Sequence, residues 1–376
     1  MIFTIIIFLL VLSLLVFVHE LGHFLTARRF GVGASEFGFG FPPRVIGFYK
    51  DQNNKWKKVI GGKEVTDAKD TVYSINSIPL GGFVKIKGEN GEDKADKDSF
   101  SGRPIWQRFL ILVAGVSMNV ILAMVLLSVG FMIGLPQSSQ DLSAQAKVRE
   151  VKIQVYEVMP NSPAAKSGIA SGDTILSING QDIKNEVEAQ EIIAAAGTSE
   201  ITLGLKHIDE NKEIKVTPEF NKDYNKNLVG ISMTSSAIVK YPWYLAIWHG
   251  SKMAIIYLWL TLVAFFELIK NLIMGAPIAG QVAGPIGIAT ITGQAARLGF
   301  TYLLQFAALL SLNLAVINFI PFPALDGGRA LFLLFEKIIG RPVKRSVETI
   351  MHNIGFILLM LLVVFVTFKD VLKFFK

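Results

Sequence analysis

Residues 2–25 read IFTIIIFLLVLSLLVFVHELGHFL, an apolar run that ends in the motif His19-Glu20-Leu21-Gly22-His23. From Ile2 to Val18 the only polar positions are Thr4 and Ser13. On a helix, the H-E-x-x-H spacing puts two imidazoles on one face, where they can bind one zinc ion. The glutamate beside them can act as a general base. Because the run is long enough to cross a bilayer, the sequence predicts a zinc site within a membrane.

The composition is typical of a membrane protein with polar sections. Of 376 residues, 51% are hydrophobic and only 18% are charged. The net charge of +7 predicts no nucleic-acid partner, because Lys and Arg concentrate in loops beside the apolar segments. The absence of cysteine excludes a cysteine nucleophile, a thiolate zinc site and a disulfide.

Four apolar runs are predicted as membrane spans; the fourth is shorter than the others and is extended by its flanks. A fifth segment, Trp243–Leu272, holds an uninterrupted apolar stretch of only 14 residues between Lys252 and Glu267. About 20 are needed for a span, so this segment is predicted to lie at the membrane interface, although a fifth span stays open. The four predicted spans are Ile2–Leu25, Phe109–Leu135, Tyr302–Leu325 and Ile354–Phe368.

Charge bias orients these spans. Basic residues follow the first span and lie between the third and fourth, which predicts that both regions are cytoplasmic. Residues 136–240 and both termini then lie outside. In this topology Asp326 reaches the same depth as His19 and His23, which makes it the best candidate for a third zinc ligand. A helix N-cap is the alternative role for Asp326.

The section after the second span has the pattern of an α+β domain. Alternation predicts a strand at Val151–Val158, Asn179-Gly180 predicts a hairpin turn, and Glu186–Ala196 suits a helix. The pattern S-P-A-A-x-x-G-I-x-x-G-D-x-I-L-x-I-N-G, from Ser162 to Gly180, resembles bacterial PDZ domains. Such domains bind extended peptide ends at an open strand edge, although a spacer that binds nothing is the alternative.

Several motifs together resemble one family. The zinc motif combines with Asn318-Phe319-Ile320-Pro321-Phe322-Pro323-Ala324-Leu325-Asp326-Gly327-Gly328 in the third span. Gly115-Val116-Ser117-Met118-Asn119 is similar to a G-x-x-x-N element, and residues 73–85 are similar to a membrane-associated β-hairpin. With Gly38-Phe39-Gly40 and Gly284–Ile288, this set resembles the site-2 protease family of intramembrane zinc metalloproteases.

The resemblance implies an enzyme of the bacterial cytoplasmic membrane that acts in regulated intramembrane proteolysis. Its expected cofactor is Zn²⁺ on His19, His23 and Asp326, with Glu20 as the catalytic base. The expected substrates are single-pass membrane proteins already trimmed on the outer side, either an anti-sigma factor or a remnant signal peptide. Peptide ends at the PDZ domain and the lipid bilayer are the other expected partners.

The predicted fold is a polytopic α-helical membrane protein with about four transmembrane helices, membrane-associated β-hairpin elements and one inserted extracytoplasmic α+β PDZ domain. The expected organisation is a first transmembrane helix at 1–30, cytoplasmic-side β elements and loop at 31–108, a second transmembrane helix at 109–135, the PDZ domain and flanks at 136–240, an interfacial helix and loop at 241–300, the third transmembrane helix at 301–340, and the fourth with the C-terminus at 341–376.

A helix in lipid is a poor protease substrate because its carbonyls are bonded within the helix, so an unwound segment must be held as a strand. The glycine-rich β elements could present an edge for this, and two asparagines of the third span could bond substrate backbone, although they could equally pair between helices. The candidate substrate-binding residues are Gly38, Phe39, Gly40, Gly81, Gly82, Phe83, Asn313 and Asn318.

A second function from another class is a non-catalytic membrane PDZ adaptor with a structural metal site or none. In that case His19, Glu20 and His23 would form only a polar patch at the membrane boundary. The remaining histidines, His207, His249 and His352, are expected to be ordinary domain or interface residues, and residues 89–98 a solvated loop.

Overall fold

The computed structural model describes residues 2–89, 96–138, 146–183, 185–207, 210–221, 226–275 and 283–373. They form two compact units. The helical unit lies within residues 1–127, 250–296 and 303–376, and the strand-rich unit lies within residues 128–249 and 297–302.

Five helices of the described residues are long and apolar enough to cross a membrane: α1, α2, α5, α7 and residues 346–372 of α9. The four predicted runs lie in α1, α2, α7 and α9. Helix α7 ends at Phe319, earlier than the predicted span, because Pro321 and Pro323 cannot continue a helix. The helices are α1 Ile2–Arg29, α2 Ile105–Ile133, α3 Pro163–Lys166, α4 Glu186–Ala195, α5 Trp243–Ile273, α6 Pro285–Leu298, α7 Phe300–Phe319, α8 Asp326–Ile339 and α9 Arg345–Lys373.

Residues 243–272 were predicted to be too short to span because their uninterrupted apolar stretch is only 14 residues long, but they form one long helix, α5. It is a single helix of 31 residues, about 46 Å long at 1.5 Å per residue. Lys252 and Glu267 do not interrupt it, because long charged side chains can extend to polar surroundings while the helix continues. The segment is therefore long enough to span, and its interfacial placement stays a prediction that does not rest on length.

An antiparallel sheet of two long strands and one short strand, β2, belongs to the helical unit, in the order β2-β1-β3. Its strands are β1 Ala34–Lys50, β2 Trp56–Ile60 and β3 Val72–Ile86. Both β1 and β3 fold back on themselves, so that Phe37 pairs with Tyr73 on one side and with Val84 on the other. The first half of β1 is therefore flanked by β3 on both sides. Among the described residues, no strand pairs with the other side of residues 82–86 of β3, which form a free edge of the sheet.

The turn of β3 lies against the middle of α1. The Ser13 hydroxyl donates a hydrogen bond to the carbonyl of Pro79 (2.7 Å) and accepts one from the backbone N–H of Gly81 (3.3 Å). A Cβ on Gly81 would lie 2.4 Å from Cβ of Val16, so only glycine permits this approach. Ser13 is 3% exposed. Its position within an apolar run is explained by two backbone groups that have no water to bond.

The strand-rich unit contains a sheet in the order β4-β12-β5-β6-β8-β9, with β7 paired to β6. The predicted strand at 151–158 lies in β5, and the predicted helix at 186–196 is α4. Strand β4 pairs with residues 236–239 of β12, which the sequence did not predict. Strands β10 and β11 of this unit form a separate two-stranded sheet. The strands of the unit are β4 Leu135–Ser138, β5 Lys147–Val158, β6 Thr174–Ile178, β7 Gln181–Asp182, β8 Ile201–His207, β9 Glu210–Val216, β10 Glu219–Asn221, β11 Lys226–Leu228 and β12 Ile231–Lys240.

The predicted role of Ser13 as an anchor can be tested with Ser13→Ala. The change leaves the Pro79 carbonyl and the Gly81 N–H without their partner, and we expect a loss of about 1–3 kcal/mol in stability. The thermal unfolding midpoint in detergent measures this. Ser117→Ala is the matched control, because the Ser117 hydroxyl bonds only to the Val113 carbonyl of its own helix. Equal midpoints for the two variants would contradict the anchor.

Candidate active site

Two elements bring three metal-binding side chains together. Helix α1 carries His19 and His23 one turn apart, and both are 6% exposed. Asp326 is the first residue of α8, which follows the proline-rich turn after α7. Its Oδ2 lies 3.0 Å from Nε2 of His19 and 3.2 Å from Nε2 of His23. The N-cap of α8 is Leu325, so Asp326 does not have the alternative N-cap role.

The donor set fits a zinc ion. The two imidazole Nε2 atoms are 3.2 Å apart, and all three donor atoms lie within 4.8 Å of one another. Ligands about 2.0–2.1 Å from a tetrahedral zinc are separated by about 3.3 Å, close to the observed spacings. Two histidines and one carboxylate also leave a fourth position open, as catalytic zinc sites do.

Helix α2 supports both imidazoles from behind. Nδ1 of His23 donates to the carbonyl of Ile111 (2.8 Å), and the side-chain amide of Asn119 lies 3.1 Å from Nδ1 of His19. Between them, a Cβ on Gly115 would lie 2.3 Å from Nε2 of His23. These α2 positions are four residues apart and share one face. They direct Nε2 of both rings toward Asp326, as outer partners of metal-binding histidines do.

Asn119 is itself fixed in place. Its side chain is fully buried, and its backbone carbonyl accepts a hydrogen bond from the hydroxyl of Ser311 on α7 (2.8 Å). In the structure the amide nitrogen of Asn119 faces Nδ1 of His19, and the buried amide oxygen has no hydrogen-bond partner among the described residues. A histidine that binds a metal through Nε2 carries its proton on Nδ1, so a metal-bound His19 would require the amide to turn its oxygen toward that nitrogen. The sequence placed Asn119 in a family-like element, but not beside a ligand 100 residues away.

Glu20 lies at the free edge of the sheet. Its carboxylate lies close to the backbone N–H of Val84, in the second half of β3. Gly82 lies on the same edge, where a Cβ would be 3.1 Å from the ring of Phe17. Of the candidate substrate-binding residues, Gly81, Gly82 and Phe83 therefore lie at or next to the edge that faces Glu20.

The remaining candidates are placed differently. Gly38 and Phe39 pair with β3 on both sides, and the Gly40 carbonyl accepts from the Asn76 amide, so these three offer no free edge. The reason is that β3 folds back over the first half of β1. The Asn313 amide is exposed and bonds the Leu309 carbonyl of its own helix. Asn318 is half-buried on the last turn of α7.

The structure adds contacts for the predicted loop at 89–98 and for the three remaining histidines. Glu89 is not simply part of a solvated loop, because it forms an ion pair with Arg329 of α8; residues 90–95 of that loop lie outside the described residues. His352 was expected to be an ordinary interface residue, but it bonds the backbone N–H of Ala324 (2.9 Å). His207 contacts the buried carboxylate of Asp173, and His249 stacks on Tyr241.

Comparison with known proteins identifies the family. A model of peptidase family M50 matches residues 7–362, nearly the whole chain. The chain belongs to peptidase family M50, the site-2 proteases. The M50 chain is similar to the regulator of sigma-W protease RasP of Bacillus subtilis, with 29% identity over 99% of each chain. It is also similar to zinc metalloprotease RasP of Geobacillus kaustophilus, with 28% identity over 99% of this chain and 98% of that one.

One similarity concerns a part of the chain only. A PDZ domain of an SdrC-like protein from Listeria innocua is 27% identical over 22% of this M50 chain and 92% of that chain, with a TM-score of 0.20. The family membership confirms the resemblance predicted from the motifs. The protein is a site-2-type metalloprotease of a bacterial membrane, with several membrane-length helices, and the adaptor alternative is set aside.

The role of Asn119 can be tested with Asn119→Leu, which keeps the branched shape of the side chain but has no polar atom to face Nδ1 of His19. We expect zinc affinity to fall by about 10–100-fold, the usual cost of losing an outer partner of a metal ligand. Competition with a chelator in detergent measures the dissociation constant. Asn313→Leu is the control, because that amide bonds only its own helix. Wild-type affinity in Asn119→Leu would refute the supporting role of α2.

Proposed function

We propose that this protease cleaves a peptide bond within the transmembrane segment of single-pass membrane proteins. One observation carries the proposal. His19, His23 and Asp326 converge beside Glu20, and Glu20 meets a free strand edge through Val84. A metal site, a base and a place for an extended substrate therefore lie side by side in a unit built from apolar helices.

The proposed chemistry divides among these residues. His19, His23 and Asp326 would hold Zn²⁺, which polarises a substrate carbonyl and makes water more acidic. Glu20 takes the proton of the attacking water and delivers it to the leaving amine. Burial of the two imidazoles excludes bulk water from one side of the site and strengthens the electrostatic interactions there.

The substrate must be extended to be cut, since a helix in lipid keeps its carbonyls bonded internally. We assign residues 82–86 of β3 as the edge that pairs with the unwound segment. A substrate carbonyl that accepts a hydrogen bond from the Val84 N–H would lie next to the Glu20 carboxylate, the proposed base. Asn318, at the end of α7, is the second candidate for a substrate backbone contact.

The sheet is held at a fixed distance from the site by contacts at both ends. Ser13 on α1 anchors the turn of β3, six residues before His19. At the other end of β3, Glu89 pairs with Arg329, three residues after Asp326. The edge strand is thus tied to the elements that carry the metal ligands, which supports its assignment as the substrate-binding edge.

The membrane orientation and the partners complete the proposal. Basic residues at the end of α1 and the start of α2, such as Arg29 and Arg108, support a cytoplasmic position for the sheet. The PDZ-like domain and both termini then lie outside the bacterial cytoplasmic membrane, as the four-span topology requires. That domain would bind peptide ends. We also propose the seven-part organisation predicted from the sequence, with the second transmembrane helix beginning at Ile105.

The proposed substrates are membrane proteins already cut on their outer side, either an anti-sigma factor or a remnant signal peptide. The Bacillus subtilis relative is named as a regulator of sigma-W, which supports the first of these.

Glu20→Gln tests the proposed function. Zinc should stay bound, because Glu20 is not among the three donors, while cleavage of a membrane-spanning reporter should fall by at least about 10²–10⁴-fold. Zinc content and reporter cleavage are measured on the same purified protein. Glu64→Gln, at an exposed position on the loop before β3, is the control and should cleave normally. Full cleavage by Glu20→Gln would reject the assignment.

A further inference from the structure

The turn that carries Asp326 contains an unfavourable backbone conformation. Between α7 and α8 the chain passes through two prolines, and Ala324 then adopts a φ of +78°. An alanine in the left-handed region is strained, because its Cβ crowds the neighbouring carbonyl. Such a conformation persists only where the surrounding structure holds it. Asp326 follows two residues later, so whatever holds Ala324 also places the carboxylate.

Helix α9 supplies the contacts that hold this turn. The backbone N–H of Ala324 donates a hydrogen bond to Nδ1 of His352 (2.9 Å). Three residues along the same face of α9, a Cβ on Gly355 would lie 2.3 Å from the carbonyl oxygen of Pro323. The backbone of α9 therefore lies directly against the turn, and the imidazole reaches its N–H. Phe332 of α8 covers the ring, with centroids 5.9 Å apart.

The hydrogen bond fixes the chemical state of this imidazole. Because Nδ1 accepts from a backbone N–H, it carries no proton, and the ring proton lies on Nε2. That Nε2 is buried and has no hydrogen-bond partner among the described residues. A buried donor without a partner is costly. General packing therefore does not account for a histidine at this position, whereas the bond to Ala324 does.

We propose that His352 is a positioning residue for Asp326. Its neutral imidazole holds Ala324 in the left-handed conformation, and this sets the Asp326 carboxylate within reach of His19 and His23. Gly355 serves the same purpose by letting α9 approach the turn. Nothing in the motifs assigns a role to this part of α9, and the sequence separates His352 from Ala324 by 28 residues. The inference rests on the proposed zinc site.

The test compares full-length variants in detergent. His352→Leu removes the acceptor, whereas His352→Asn keeps one, since its Oδ1 can occupy the position of Nδ1. Met351→Leu, at an exposed neighbouring position, is the control. Zinc dissociation constants are measured by competition with a chelator. Visible absorption of the Co²⁺-loaded protein reports ligand geometry, since four-coordinate Co²⁺ absorbs more strongly than Co²⁺ with more ligands.

We expect His352→Leu to bind zinc about 10–100-fold more weakly than the wild type, with a weaker Co²⁺ spectrum. His352→Asn and Met351→Leu should stay within a few-fold of the wild type, about the spread expected of neutral changes. Wild-type affinity and spectrum in His352→Leu would overturn the proposal. A loss of zinc affinity in His352→Asn as large as that in His352→Leu would also overturn it. The role of His352 would then depend on the shape of its side chain and not on the hydrogen bond that it accepts.

Two further measurements keep the outcomes distinct. If His352→Leu does not fold, Gly355→Ala displaces the same turn without touching the imidazole, and it should weaken zinc binding; normal binding by this variant would overturn the proposal. Absence of zinc binding by the wild-type protein would reject the proposed function itself. Normal zinc binding by both the wild type and His352→Leu would reject only the role of α9.

Discussion

Two buried imidazoles and a half-buried carboxylate lie among apolar helices, and this placement is the constraint on which the rest of the structure depends. Polar groups placed in such surroundings are costly unless each finds a partner. His23 bonds the Ile111 carbonyl and His19 meets the Asn119 amide, so that both rings present Nε2 to Asp326. Small residues make this possible, because a Cβ on Gly115 would collide with His23.

Helix α2 also holds α8, the helix that carries Asp326, the third candidate metal ligand. Near its start, Arg108 of α2 forms a double hydrogen bond with Glu336 of α8, at 2.7 and 3.0 Å, and both side chains are largely buried. Partly buried pairs with this geometry hold two elements in one orientation. Helix α8 is thus held by α2 at one end, while α9 holds the turn before its first residue, Asp326. The candidate metal site therefore depends on contacts between helices that are distant in sequence.

The sequence predicted those parts of the site whose information is local. The spacing of His19 and His23 fixes a shared helical face. The four-span topology predicted Asp326 at a similar depth; the structure brings the three side chains together, while the number of spans stays a prediction. The supporting residues could not be predicted in the same way. Asn119 and His352 act on residues 100 and 28 positions away, and no periodic pattern reports such pairs.

The sheet shows a second limit of sequence patterns. Alternation and glycine content identified β elements around Gly38 and Gly82, but they carry no information about which strand lies at an edge. Because β3 folds back over β1, Gly38 lies inside the sheet and Gly82 lies at its edge. Counting uninterrupted apolar residues likewise underestimated α5, since Lys252 does not end a helix.

X-ray absorption at the zinc edge of the purified wild-type protein tests the central claim most directly. The account predicts one zinc per chain with two imidazole nitrogens at about 2.0–2.1 Å and the remaining ligands oxygen at about 2.0–2.2 Å. A zinc shell with one imidazole or none would contradict the site built from His19, His23 and Asp326.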